Sequence, residues 1–247
     1  MLHLDLSLPS PAENLAADEA LLDECEAGRG EEVLRFWEPR KPFVVVGYAN
    51  QVATEVNVPA CQANGVPIFR RCSGGGTVVQ LPGGLNYSLV LRITENGPTH
   101  SISAANQFIM EKNRAAIQTL VAREVSVRGH TDLALAKPHA SGVAHLKFAG
   151  NSQRRRKHFL LFHGTLLLNC DLSRISELLQ MPSKQPDYRG DRSHAEFVTN
   201  LNATAGQVKT ALMDAWSAKS EFKNPPLAEI EELARAKYSS REWNFKF

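Results

Sequence analysis

Cysteine is scarce in this 247-residue chain, with four residues at positions 25, 61, 72 and 170 and no C-x-x-C pair among them. That spacing suggests neither a zinc site nor a disulfide framework, and leaves free thiols. Long apolar runs are missing, so no membrane span is predicted, and the N-terminal stretch lacks the basic start and apolar run of a signal peptide. The expected location is cytoplasmic, with no membrane partner; the glycosylation patterns Asn-Tyr-Ser and Asn-Ala-Thr carry no weight without secretion. An excess of one charge is also absent, because 28 Lys+Arg against 26 Asp+Glu leave a formal +2. Bulk attraction to nucleic acid is therefore not expected, and any basic chemistry is local. There is no internal repeat, no Gly-Lys-Ser/Thr ending of a P-loop and no G-x-G-x-x-G opening a helix.

What is present is an ordinary globular composition, 43% hydrophobic and 22% charged, in a length that suits a single domain over residues 1–247. Residues 11–27 predict a helix with Leu15, Leu22 and Cys25 at near-helical spacing, closed by Gly28. Short β-rich runs follow at 33–37 and 42–48 and in VPIFRR, TVVQL and LNYSLVLRI. Residues 101–121 predict a second helix, with Ile102, Ala105, Ile109, Ala116 and Leu120 along one side. VSVRG, DLALA, HLKFAGNSQ and HFLLFHGTLLL read as strands, the last two forming a hairpin around the basic turn RRRK. Helices are expected in LSRISELLQ, QVKTALMDAW and LAEIEELARAKY, and residues 181–192 form a flexible loop. The order lacks a strict β-α-β rhythm, which predicts a mixed α+β fold rather than a doubly wound parallel sheet.

One segment interrupts this pattern: FRRCSGGGTVVQ, from Phe69, with three consecutive glycines. Successive bare N–H groups can converge on an anion, and glycine permits the closest approach, with Arg71 and Ser73 adding charge and a hydroxyl. A glycine-rich turn with solvated arginines accounts for the same residues. Lys147 sits in a β-like run between Leu146 and Phe148, where a buried ammonium needs an anion and an edge lysine needs only water. His163, Gly164 and Thr165 break an apolar strand, as a ligand approach or a bulge would. Asp132 opens a strand, where it could hold Mg²⁺, fix the lysine or simply start the strand. Arg154 to Lys157 could meet a triphosphate or an acidic partner, or form a solvated tip.

Taken in order, NLAADEALL, FVVVGYANQ, RRCSGGGTVVQ with LNYSL, TDLAL, KFAGNSQRRRKHFLLFHGTLLLNCDLSRI, VTNL and REWNF resemble the lipoate-protein ligase A family of the biotin/lipoate ligase and octanoyltransferase superfamily. The resemblance covers nearly the whole chain. It implies a mixed, largely antiparallel central sheet flanked by helices, of the kind in class II aminoacyl-tRNA synthetases and biotin protein ligases. It also implies ATP with Mg²⁺ as cosubstrates, lipoate or octanoate as the acid, and an acyl-AMP intermediate. The acceptor would be a lysine on a lipoyl-domain protein, such as a 2-oxoacid dehydrogenase acyltransferase subunit or a glycine-cleavage H protein.

The same resemblance assigns Lys147 as catalytic, neutralising the α-phosphate and the developing oxyanion. Arg71, Ser73, Gly74, Gly75 and Gly76 would line the acyl-adenylate site, with Gly150, Asn151, His163, Gly164 and Thr165 as a second wall. Leu15 and Trp37 would meet the acyl tail, and Asp132 would contact substrate or Mg²⁺. The chain departs from the family where His-Asp often follows GGGxVx, having Gln80 and Leu81, and where Asn-Asp often precedes the next strand, having Thr131 and Asp132. It stops after REWNF, where many relatives continue, so a separate accessory protein is expected. The competing enzyme is an octanoyltransferase working through a cysteine thioester, although no cysteine occupies either position used by such relatives. The competing non-enzyme is an acyl-adenylate-binding scaffold or sensor.

Overall fold

The first helix begins at a capping box. Ser10 Oγ accepts the Glu13 N–H while the Glu13 carboxylate accepts the Ser10 N–H, just before α1 (Pro11–Glu26). Small residues dominate its buried side, with Ala16, Ala17 and Leu22 fully covered, so the helix lies close against the strands beneath it. The computed structural model describes residues 1–139 and 142–247.

Those strands are β1 (Leu2–Asp5), β2 (Val33–Trp37), β3 (Phe43–Val46), β4 (Ile68–Arg70), β5 (Val78–Gln80) and β6 (Gly84–Arg92). After α2 (Ile102–Gln118) come β7 (Val125–Arg128), β8 (Asp132–His139), β9 (Gly142–Arg155) and β10 (Phe159–Leu167). Beyond α3 (Ala205–Ala215) lie β11 (Ser220–Glu221) and α4 (Leu227–Leu233). They build an eight-stranded sheet in the order β11-β1-β2-β6-β10-β9-β8-β7, parallel only where β1 meets β11 and β2, and a smaller sheet β4-β3-β5. This is the mixed, mostly antiparallel α+β fold expected from the sequence.

Alternation along the strands decides what each face does. Leu34, Phe36, Leu85, Leu89, Phe162 and their neighbours face α2 and α3 in the main core. On the opposite face, α1 packs over Val33, Val90 and Leu161. The small sheet rides beside α1, with Phe43 and Val45 against Ala12, Leu15, Ile230 and Tyr238.

Two expectations need correction. The hairpin turn occupies Arg156–His158 rather than RRRK, because β9 runs on through Arg155. Its arginines are already engaged by the protein. Arg154 lies over the Tyr48 ring, Arg155 donates to the Thr99 carbonyl, and Arg156 pairs with Asp23. A merely solvated tip does not describe them.

Candidate active site

Register creates the site. Trp37 stands opposite Asn86, Asn86 opposite Thr165, Thr165 opposite Gly150 and Gly150 opposite Asp132. These five residues cross β2, β6, β10, β9 and β8 in one row, spanning about 19 Å at the usual strand spacing. An apolar end therefore sits at Trp37 and a charged end at Asp132. The adjoining row on the same face is Arg35, Ser88, His163 and Ser152. Above both rows lies a cavity of about 1030 Å³, bordered by all the predicted site residues except Ser73 and Gly74.

At the charged end Lys147 Nζ is 2.8 Å from Asp132 Oδ1, and Tyr188 donates to Asp132 Oδ2 at 2.9 Å. The lysine is neither an isolated buried charge nor an edge residue in open water; about a quarter of its side chain is exposed. Its register at a β-bulge brings the ammonium back over Gly150, where a Cβ would lie 2.8 Å from Nζ. Tyr188 comes from the 181–192 loop, 56 positions beyond Asp132, and no local pattern connects the two. Burial, followed by the Asp132 charge, pushes the Tyr188 phenol well up, so it stays a donor. Asp132 thus fixes the lysine. Both of its oxygens are engaged, one by the lysine and one by the tyrosine.

Of the two arginines of the glycine segment, Arg71 borders the cavity and Arg70 does not. Arg70 is fully buried and donates to the carbonyls of Gly47, Tyr48, Asn50, Trp243 and Asn244. Arg71 donates to Ser73 Oγ and to the carbonyls of Gly74 and Gly76. Backbone carbonyls take all of these bonds but the one to Ser73 Oγ. No carboxylate pairs with Arg71 among the described residues, and burial lowers its guanidinium to about 10. It contributes an uncompensated positive charge to the cavity wall, which favours an anionic ligand.

Ser73 is fully buried and meets His163 Nε2 at 2.5 Å, so it supports the glycine loop from behind. Gly75 takes a left-handed φ of 83° and a Cβ there would meet Arg71 Nη2 at 2.9 Å, whereas Gly76 borders the cavity with open space where a side chain would project. Asn151 and Gly164 border the cavity through backbone only. The Asn151 side chain turns to the core face, where Oδ1 accepts from Tyr87 at 2.6 Å and fills the space beside the bare Gly164.

The Trp37 end of the cavity is apolar on one side and polar on the other. Trp37, stacked on Phe43 at 6.3 Å, and Leu15 border it with Val45 and Val78. Gln80, Asn86 and Thr165 form a closed set of mutual hydrogen bonds at its floor, from 2.6 to 2.9 Å. Satisfied in this way, the three polar side chains close off one side of an otherwise apolar end. No cysteine borders the cavity. All four thiols are buried, and burial pushes Cys25 and Cys72 to about 12 and Cys170 to about 11.

Comparison with known proteins agrees with this geometry. A family model described as "Lipoyl protein ligase A/B catalytic domain" matches residues 10–217. An octanoyltransferase LipM of Geobacillus kaustophilus is 28% identical, over 98% of this chain and 97% of its own. Among solved structures, a bi-partite lipoate protein ligase and its E2 lipoyl domain from Thermoplasma acidophilum match at TM-score 0.80 and 25% identity, covering 99% of this chain and 95% of that one. A lipoate-protein ligase A bound with ATP matches at TM-score 0.76 and 26% identity, covering 99% of each.

Proposed function

The chain belongs to the lipoyl protein ligase A/B catalytic-domain family, and from that premise we infer that it is an ATP-dependent ligase that places lipoate or octanoate on a lysine of a lipoyl-domain protein. The acid's carboxylate oxygen attacks the α-phosphorus of ATP, forming acyl-AMP as pyrophosphate leaves. The acceptor amine then attacks the acyl carbon, and the bond to AMP breaks. Lys147 stabilises charge on the phosphate and carbonyl oxygens, and the apolar end at Trp37 and Leu15 holds the chain. Mg²⁺ enters as the partner of ATP. The ATP-bound neighbour supports ATP as cosubstrate, and the Thermoplasma neighbour supports a lipoyl-domain acceptor and a separate accessory chain beside this single catalytic domain.

The observation that carries this reading over its rival is the cavity wall, which has a lysine and an unpaired arginine but no thiol. The rival is an octanoyltransferase moving the acyl group from a carrier protein through a cysteine thioester, and the name of the Geobacillus relative favours it. Intact-mass measurement of a lipoyl domain separates the two. Incubation with this protein and lipoate or octanoate is expected to add the acyl group only when ATP and Mg²⁺ are present. Transfer from octanoyl carrier protein without ATP, with a thioester on any of the four cysteines, would replace the ligase reading with the transferase.

A further inference from the structure

Asp18 has no part in the reaction as described, yet its buried carboxylate beside the site accepts three side-chain hydrogen bonds. Its carboxylate is 3% exposed and accepts from Arg35 Nη1 at 2.7 Å, Ser88 Oγ at 2.8 Å and His163 Nδ1 at 2.8 Å. Burial alone would raise this carboxyl, but the His163 hydrogen bond and the Arg35 charge hold it below its ordinary value. On the far side of the ring, His163 Nε2 meets Ser73 Oγ, which also accepts from Arg71 Nε at 3.1 Å.

Hydrogen-bond accounting gives this chain a direction. A carboxylate only accepts, so the proton on the His163 side facing Asp18 is on Nδ1. Ser73 Oγ accepts from Arg71 and keeps one proton to donate, and His163 Nε2 lies 2.5 Å away as the acceptor for it when the ring proton is on Nδ1. We propose that Asp18 is a positioning residue: it fixes His163 in the Nδ1–H tautomer, so that Nε2 holds Ser73 and, through it, the glycine loop over the acyl-adenylate site. The order of atoms resembles the serine–histidine–aspartate line of acyl-transfer enzymes. Ser73, however, is fully buried with its oxygen engaged, so it holds the loop rather than attacking substrate. The loop's other fastenings converge on the same backbone. Tyr48 N–H donates to the Ser73 carbonyl at 2.8 Å and Ser152 Oγ to the Gly74 carbonyl at 2.9 Å.

The inference rests on the proposed activity only for its kinetic consequence. Nitrogen-15 histidine spectra of the full chain without substrate, assigned with His163→Gln, are expected to show Nδ1 protonated and Nε2 bare. Asp18→Asn is expected to move the proton to Nε2, to speed deuterium exchange of the amides of residues 73–76, and to lower kcat by on the order of 10²-fold, the cost of slight misplacement. If Asp18→Asn fails to fold, Ser73→Ala carries the test, because it keeps the Asp18–Arg35 pair and is expected to speed exchange at residues 74–76 while α1 is unchanged. A protonated Nε2 in the unaltered protein overturns the proposal. So does wild-type exchange in Ser73→Ala, or a folded Asp18→Asn with wild-type kcat. Tautomer and exchange are read without substrate, so absence of ATP-dependent transfer would sink the activity proposal and leave this one standing.

Discussion

Lys147 and Asp132 meet at 2.8 Å across neighbouring strands, with Tyr188 closing the far side of the carboxylate. The pair holds the lysine amine at the cavity wall. Being partly exposed, it is a weak contributor to stability. Its value is in placement.

Lys147→Ala is accordingly expected to remove acyl-adenylate formation while sparing the fold. The loss of one preorganised contact costs about 10²- to 10³-fold in rate. ATP/pyrophosphate exchange in the presence of lipoate measures the step directly, and thermal melting checks the fold. Undiminished exchange in a folded variant would remove Lys147 from the chemistry.

Tyr188→Phe deletes one hydrogen bond to Asp132 and leaves the ring packed against Phe197, whose centroid is 5.1 Å away. A net hydrogen bond is worth about 1 kcal/mol, so the expected effect on kcat/KM is roughly fivefold. A loss comparable to that of Lys147→Ala would mean that the tyrosine itself touches the reacting groups.

How far the sequence revealed this site depends on the direction of each side chain. The α1 helix, the α2 helix and the main strands were legible because period and capping are local properties. Lys147 was legible because a charge inside an apolar strand demands an explanation. The part Arg70 plays was not, since residue type alone cannot distinguish a guanidinium facing a ligand from one bonded to its own backbone. Asp18 and His163 are 145 positions apart, and only the packing of α1 on β10 brings them together. The one local hint was a pair of acidic residues, Asp18 and Glu19, among the alanines and leucines of a helix that proved buried on most sides.

The thiols give a prediction that turns on pH. Burial raises Cys25 and Cys72 to about 12 and Cys170 to about 11, from an ordinary value of 9.0. The reactive thiolate is therefore rare in the native state at neutral pH, and iodoacetamide is expected to modify the folded protein far more slowly than the denatured chain. Because these values are raised on folding, the associated stability is fully present below pH 9 and declines as pH rises from 9 toward 12. Urea titrations at pH 7 and pH 10 should show the lower midpoint at pH 10. Rapid native alkylation of one cysteine at pH 7, blocked by an octanoyl donor, would instead identify a catalytic thiol.

Two glycines test whether a bare backbone serves a ligand or the fold. A Cβ on Gly164 would lie 1.8 Å from Asn151 Oδ1 and 2.7 Å from the Gly150 carbonyl, in the middle of the central sheet. Gly164→Ala must displace Asn151 from its bonds with Tyr87 and the Thr131 carbonyl, and overpacking of this kind costs about 1–3 kcal/mol. Gly76 has open space at the same position and borders the cavity, with no left-handed φ to forbid a side chain. Gly76→Ala should therefore leave stability unchanged or slightly raised, by up to about 1 kcal/mol, because it restricts the unfolded chain. Its methyl group would occupy the space proposed for the acyl-adenylate, so activity should fall while the melting temperature holds. Gly164→Ala should lower both. Full activity in Gly76→Ala would show that the substrate does not lie against that backbone, and the glycines would then owe their presence to the loop's turn at Gly75 alone.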